Sequence, residues 1–335
     1  MFKKFLIGIL GFSAWTLALV GLGQRQEKVH EHEIHSARTW LKSLSQEQSA
    51  HILFGSSNIA YSLDCARLDA RCTEQTLTWY NLGQRGMRGH ELLDFIVRFL
   101  DPIESASSLK TIYIEATPEL WSNRRWNWRN AEVCSVASII ESSIAAVDHS
   151  NERWNHWNAL ESICQGMMMK CVAPLHCMLY PSNAPSRKGT KGFYPPPIQA
   201  TPWVPNEYEE RALLESKNNQ DEWSNWRTSG GKFACPNDSM LHEMTYPFDR
   251  LHTVVEACRK RNIEVRMLFI PTEPAIHLFD TLASITGNPP IALGLSDDVE
   301  PFVTPEWMRD VRHLNARGVE WVSDELGDAI CQAKP

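Results

Sequence analysis

Residues 51–57 read HILFGSS, an apolar run closed by Gly55 and followed by Ser56 and Ser57. A short apolar run ending at glycine fits a buried strand and a tight turn. The same grammar recurs downstream. Residues 77–82 form a second candidate strand, closed by Gly83 and Gly86. Residues 111–116 (TIYIEA) form a third, and residues 263–270 a fourth that ends at Pro271. Helical periodicity lies between them. In residues 90–100 the apolar side chains fall at Leu92, Leu93, Ile96, Val97 and Leu100, one face of a helix. Residues 36–49 and 248–261 also read as helices, and a last helix is expected from near His313 to about Cys331.

Strands alternating with helices predict an α/β fold with a mainly parallel sheet covered on both faces. In such sheets ligands bind beyond the carboxyl ends of the strands. Gly55-Ser56-Ser57, Asn81-Leu82-Gly83, Ala116-Thr117-Pro118 and Pro271-Thr272-Glu273 all follow candidate strands. Four turn-forming segments are therefore expected at one edge.

The pattern breaks over about residues 120–245. Two helices are expected there, near 131–147 and 152–168, followed by a proline-rich loop from Pro181 to Pro205. Eight of the 13 tryptophans fall in this stretch, which suits an insertion covering the active-site edge.

The start of the chain reads differently. Lys3 and Lys4 precede an uncharged stretch over residues 5–23. That length of helix spans roughly 28 Å, close to the hydrocarbon thickness. Two leading cations place the N-terminus in the cytoplasm. The expected organisation is a signal-anchor transmembrane helix at 1–23, a juxtamembrane linker and helix at 24–50, and a catalytic domain at 51–335. The expected location is the inner (cytoplasmic) membrane, single-pass, with the domain outside. A cleaved signal peptide is the rival reading.

The net charge of −7 excludes general nucleic-acid binding, which needs cations to displace counterions. Of the nine cysteines, some should pair in an oxidising compartment, and the odd total leaves at least one free. Cys65 and Cys72 are close enough in sequence to suggest a local bridge. Cys258 reads as a buried helix residue. CxxC is absent, and His176, His242 and His277 lack partners at ligand spacing, so neither a metal nor another cofactor is expected.

Chemistry requires a nucleophile and an activating base. Ser57 follows a strand and a glycine, at the start of a helix whose backbone N–H groups can hold an oxyanion. The plainer reading makes Ser56 or Ser57 an N-cap. Asp310 and His313 are three residues apart, which puts both on one side of a helical turn. There the carboxylate can orient the imidazole. The plainer reading of this pair is a helix cap and a surface histidine.

Gly55-x-Ser57, Asn81-x-Gly83-x-x-Gly86 and Asp310-x-x-His313-Leu314-Asn315, in that order, resemble the blocks of the SGNH/GDSL hydrolase superfamily. The anchor, the GSS form and the ending most resemble the SGNH-like proteins of extracytoplasmic polysaccharide acylation, of the alginate O-acetylation and teichoic acid D-alanine transfer type. The resemblance covers about 50–120 and 247–330. It implies a three-layer α/β/α flavodoxin-like SGNH fold. It implies Ser57 as nucleophile, His313 as base, Asp310 as orienting partner, and the N–H groups of Ser57 and Gly86 as oxyanion donors.

One block departs from the family. Where an asparagine normally follows the third strand, this chain reads Ala116-Thr117-Pro118-Glu119. The third oxyanion donor is then absent or comes from Asn123 or Thr117. Gln84 and Arg85 are candidates for an anionic substrate, and Trp126 and Trp128 for stacking on sugar rings. The expected function is a serine acyltransferase or esterase acting on acyl, chiefly acetyl, esters of an extracytoplasmic polysaccharide. A polytopic membrane acyltransferase is the expected partner. The alternative is a catalytically inactive SGNH-like protein for glycan binding or assembly of a cell-envelope acylation complex.

Overall fold

The computed structural model describes residues 34–45, 47–72, 76–83, 87, 89–103, 108–117, 120, 136, 139–140, 143, 160–169, 245–270, 276–293, 314 and 316–331. The chain divides into two compact units, one comprising 1–33 and 123–188, the other 34–122 and 189–335. In the first, residues 160–169 are helical, Ile139 is buried, and the Ser143 and Ser162 hydroxyls lie 3.0 Å apart.

The second unit contains the sheet. Its elements are helix α1 (34–43), β1 (Ser49–Phe54), α2 (Ser57–Ser62), α3 (Cys65–Arg71), β2 (Leu77–Asn81), α4 (Gly89–Leu100), β3 (Leu109–Glu115), α5 (Thr245–Arg259), β4 (Glu264–Phe269), α6 (Ile276–Thr286), β5 (Ile291–Ala292) and α7 (Ala316–Cys331). The five strands are all parallel, in the order β2-β1-β3-β4-β5. This is the doubly wound order of flavodoxin-like folds.

Strand parity divides the core. Ala50, Ile52 and Phe54 of β1, Ile112 and Ile114 of β3, and Val265, Met267 and Phe269 of β4 face α1, α4, α5 and α6. Leu53, Trp79, Tyr113 and Leu268 face the other way, with Ile59 of α2, Leu68 of α3 and Val319, Val322 and Leu326 of α7. Both faces are covered, which explains why the strands are continuous apolar runs. Crossovers in parallel sheets are right-handed. The step from β1 to β2 uses helices on one face, and the steps from β2 to β3, β3 to β4 and β4 to β5 use the other. The winding therefore reverses between β1 and β3.

The four expected strands are present, with ends shifted by one or two residues. The first begins at Ser49, so the first helix ends at 43 rather than 49. That helix packs Ile34, Ala37 and Leu41 into the sheet core, and Arg38 donates to the last carbonyls of α4, those of Arg98 and Phe99. Helix α6 and the two-residue β5 were not expected from the pattern. α5 ends in a Schellman turn: Ile263 N–H bonds to Cys258 C=O at 3.0 Å and Asn262 N–H to Arg259 C=O at 3.1 Å. Asn262 takes the left-handed conformation, φ 57°, that this motif requires. Cys258 is buried, as expected, and burial pushes its thiol up to about 12.

The local Cys65–Cys72 bridge is corrected. Both residues belong to the α3 segment, where seven residues rise roughly 10 Å, too far for a disulfide. Cys72 instead bonds Cys331 at the end of α7, with Cα atoms 5.9 Å apart and a sequence separation of 259. Among the described residues Cys65, Cys164 and Cys258 are free. The α3–α7 seam is also polar. Arg67 reaches Asp324 through two bonds of 2.6 and 2.7 Å, Arg71 reaches Asp328 at 2.9 Å, and Asp64 N–H donates to the buried Ser323 hydroxyl. The exposed ion pairs contribute little each; the covalent tie across a long loop contributes more. Cys331→Ser should lower unfolding stability by about 2–5 kcal/mol, read from urea unfolding. Dithiothreitol should reproduce the loss in the wild-type chain.

Candidate functional site

A reversal of winding leaves a crevice at the carboxyl ends of the two flanking strands, because the helices that follow depart to opposite faces. Here those strands are β1 and β3, and their ends are Phe54-Gly55-Ser56-Ser57 and Glu115-Ala116-Thr117. Ser57 opens α2 and is half-buried.

The two serines have different roles. Ser56 is the N-cap: its side chain accepts the Asn58 N–H at 3.2 Å. Its hydroxyl proton goes to Glu115 Oε1 at 3.0 Å. Ser56 is thus committed to the turn, and Ser57 is the first helical residue.

Glu115, wholly buried at the end of β3, organises the crevice floor. Its Oε2 accepts the Ser56 backbone N–H at 2.5 Å. Its Oε1 accepts Ser56 Oγ, Asn58 Nδ2 at 3.1 Å and Thr117 Oγ1 at 2.5 Å. A buried carboxylate needs such donors to replace its lost hydration. Gly55 is required by this contact: a Cβ there would lie 2.5 Å from Glu115 Oε2 and 2.2 Å from Ile59 Cγ1. The sequence reading passed over Glu115 as the last polar residue of a strand. Its signal was a carboxylate at the end of an apolar run, two residues before a threonine.

Asn81 and Gly83, both expected at this edge, brace the same helix from the β2 side. Asn81 Nδ2 donates to the carbonyls of Ile59 at 2.9 Å and Leu63 at 3.3 Å, and its Oδ1 accepts Gly83 N–H at 2.8 Å. A Cβ at Gly83 would lie 2.4 Å from Ala60 N, so α2 rests directly on that backbone.

Thr117 is corrected as a source of the missing oxyanion donor by its side chain: it is buried and its hydroxyl donates to Glu115. Of the other expected site residues, Gln84, Arg85, Gly86, Asn123, Trp126, Trp128, Asp310 and His313 lie outside the described residues, as do Glu273, His176 and His242. Leu314, which follows His313 in the chain, is buried and shares the hydrophobic cluster of Ile59 and Leu63. The segment entering α7 is thereby anchored on the face that carries α2. Among the described residues no group of His, Cys, Asp or Glu could hold a metal ion, and no helix is long and apolar enough to cross a membrane.

His51 is a core histidine. It lies four residues before Gly55, roughly 13 Å back along the strand. It packs against Trp79 and Tyr113 with ring centroids 4.8 and 5.8 Å away, and its Nδ1 lies 3.2 Å from the Tyr113 hydroxyl. Burial, helped by the charge of Arg266, lowers its pKa to about 4. Asp69 on α3 moves oppositely: burial raises it to about 6, with Asp64 adding, although the Trp79 N–H bond pulls it down. Burial, then Asp69 and Asp64, also push the Cys65 thiol well above its ordinary value, which makes it a poor nucleophile.

The chain matches no protein-family model and no curated protein sequence.

Two measurements test this geometry. Gly83→Ala should cost about 1–3 kcal/mol, because the backbone it strikes cannot move aside as a side chain end would; urea unfolding reads it. The second concerns pH. A depressed histidine favours the folded state above its unfolded pKa, so His51 withdraws stability as pH falls from 6.5 towards about 4, by roughly 3 kcal/mol at most. A raised carboxyl works in reverse, so Asp69 withdraws stability as pH rises from 3.8 to about 6. Asp69→Asn should therefore steepen the loss of stability on acidification, and His51→Phe should flatten it, in unfolding curves taken between pH 4 and 7.

Proposed function

We propose that this chain is a membrane-anchored SGNH-type serine acyltransferase or esterase acting on acyl, chiefly acetyl, esters of an extracytoplasmic polysaccharide. The observation that carries the reading is the place of Ser57. It opens a helix at the point where the winding of the sheet reverses, beside a serine whose hydroxyl is already committed to the turn. Position alone does not make a serine nucleophilic, and the rest of the catalytic set comes from the resemblance.

In this reading Ser57 Oγ attacks the acyl carbonyl and His313 takes its proton, with Asp310 holding the ring. The tetrahedral oxyanion is met by the N–H groups of Ser57 and Gly86 and by Asn123. The ester C–O bond then breaks, and His313 returns the proton to the departing alcohol. A sugar hydroxyl or water next attacks the acyl-serine and gives its proton to His313; the acyl–Oγ bond breaks, and His313 passes the proton to Ser57 Oγ. Gln84, Arg85, Trp126 and Trp128 would line the substrate path. A polytopic membrane partner would supply the acyl group. Leu314 supports the pairing of the two ends of the chain, since its cluster contains Ile59 of the Ser57 helix. The Cys72–Cys331 bond supports an oxidising compartment.

A second reading, an inactive SGNH-like protein for glycan binding or assembly, is favoured by Thr117, whose hydroxyl is bonded to Glu115 where the family supplies an oxyanion donor. One experiment separates the two. The full-length chain in detergent is treated with a fluorophosphonate probe, beside Ser57→Ala, and the label is mapped. Catalysis predicts one labelled peptide containing Ser57, lost in the variant. A folded wild-type chain that takes no label would select the binding reading.

A further inference from the structure

We infer that Glu115 is the positioning residue of this site: its buried carboxylate ties the end of β3 to the loop after β1 and so sets where Ser57 stands. The inference rests on the reading of Ser57 as nucleophile and adds to it a residue outside the family blocks. Three features carry it. Four donors converge on the carboxylate, and three of them belong to Ser56 and Asn58, the residues on either side of Ser57. The carboxylate is wholly buried beneath that turn, so its bonds do not compete with water. Gly55 admits the carboxylate to this place, since a Cβ there would lie 2.5 Å from Glu115 Oε2. Ser57 itself makes none of these bonds. It is held through its neighbours Ser56 and Asn58.

The chemistry of the donors predicts how replacements behave. Glutamine can keep one carbonyl oxygen for the Ser56 N–H. Its amide, with two hydrogens, can then serve two of the other three partners: the Ser56 and Thr117 hydroxyls, which rotate to accept, or Asn58, whose amide can turn over. Alanine leaves every donor without an acceptor. Asn58→Ala removes a single donor and spares the core. If a displacement of about 1 Å can lower a rate by roughly 100-fold, Glu115→Ala should approach that loss, Asn58→Ala should lose about tenfold, and Glu115→Gln should recover most of the rate.

The test uses the full-length chain in detergent. The rate of fluorophosphonate labelling at Ser57 is measured across pH, well below each variant's melting temperature, with hydrogen exchange of the Ser56–Ala60 amides measured alongside. A positioning role predicts a lower plateau with an unchanged midpoint in the pH profile, faster exchange at Ser56, and rescue by glutamine. Folded Asn58→Ala and Glu115→Ala chains that label like wild type would overturn the inference. So would a displaced pH midpoint, which would make Glu115 a titrating participant. A wild-type chain that takes no label defeats the acyl-transfer reading instead. The exchange data then decide Glu115 alone: unchanged protection at Ser56 in Glu115→Ala would refute its hold on the loop.

Discussion

The structure turns on one buried carboxylate. Glu115 has no exposed surface, and a carboxylate in that position is tolerable only if its oxygens are fully served by donors. The donors that serve it come from Ser56, Asn58 and Thr117. Satisfying Glu115 therefore determines the path of the chain as it leaves β1, the cap of α2, and the glycine at position 55.

The winding of the sheet places this carboxylate. β1 and β3 are neighbours, yet the chain leaves them toward opposite faces. Their carboxyl ends are open at that point, so polar groups there can face one another without a helix between them. Elsewhere along the same strands the faces are closed. His51 shows the contrast: sunk between Trp79 and Tyr113, it is held neutral by its surroundings and belongs to packing. Two polar residues of adjoining strands thus serve different ends because one lies at the switch point and the other well inside the sheet.

The two ends of the domain are brought together by a different set of contacts. α7 lies along α3 through three arginine–carboxylate pairs, the Ser323 bond to Asp64, and the Cys72–Cys331 bond. Gly327 lets the two helices approach, since a Cβ there would lie 2.8 Å from Arg71 Cγ. The segment that carries Ser57 and the segment that follows His313 are joined to one hydrophobic cluster. The seam holds that cluster together at a distance from the crevice.

Much of this was legible in the chain. The apolar runs that become β1 to β4 are buried on both faces, so composition and length alone mark them, and the helical period of residues 89–100 marks α4. The glycines at 55 and 83 were legible as turns, because only a residue without a side chain fits there. β5 was not marked, since a two-residue strand has no period, and α6 was missed although Gly287, with φ 79°, and Pro289 just beyond it signal a helix end. Cys72 was paired with the wrong partner because nearness in sequence is a poor guide inside a helix, where seven residues lie well apart. Local pattern determined the elements, the edge at which their loops gather, and Ser57 as a residue of interest. Only the tertiary structure decided that Ser56 is the cap, that Thr117 is bonded to a carboxylate, and that Glu115 underlies the turn. The bonds from Ser56 and Asn58 to Glu115 join segments 57–59 residues apart, and no local propensity encodes which donors a buried carboxylate will find.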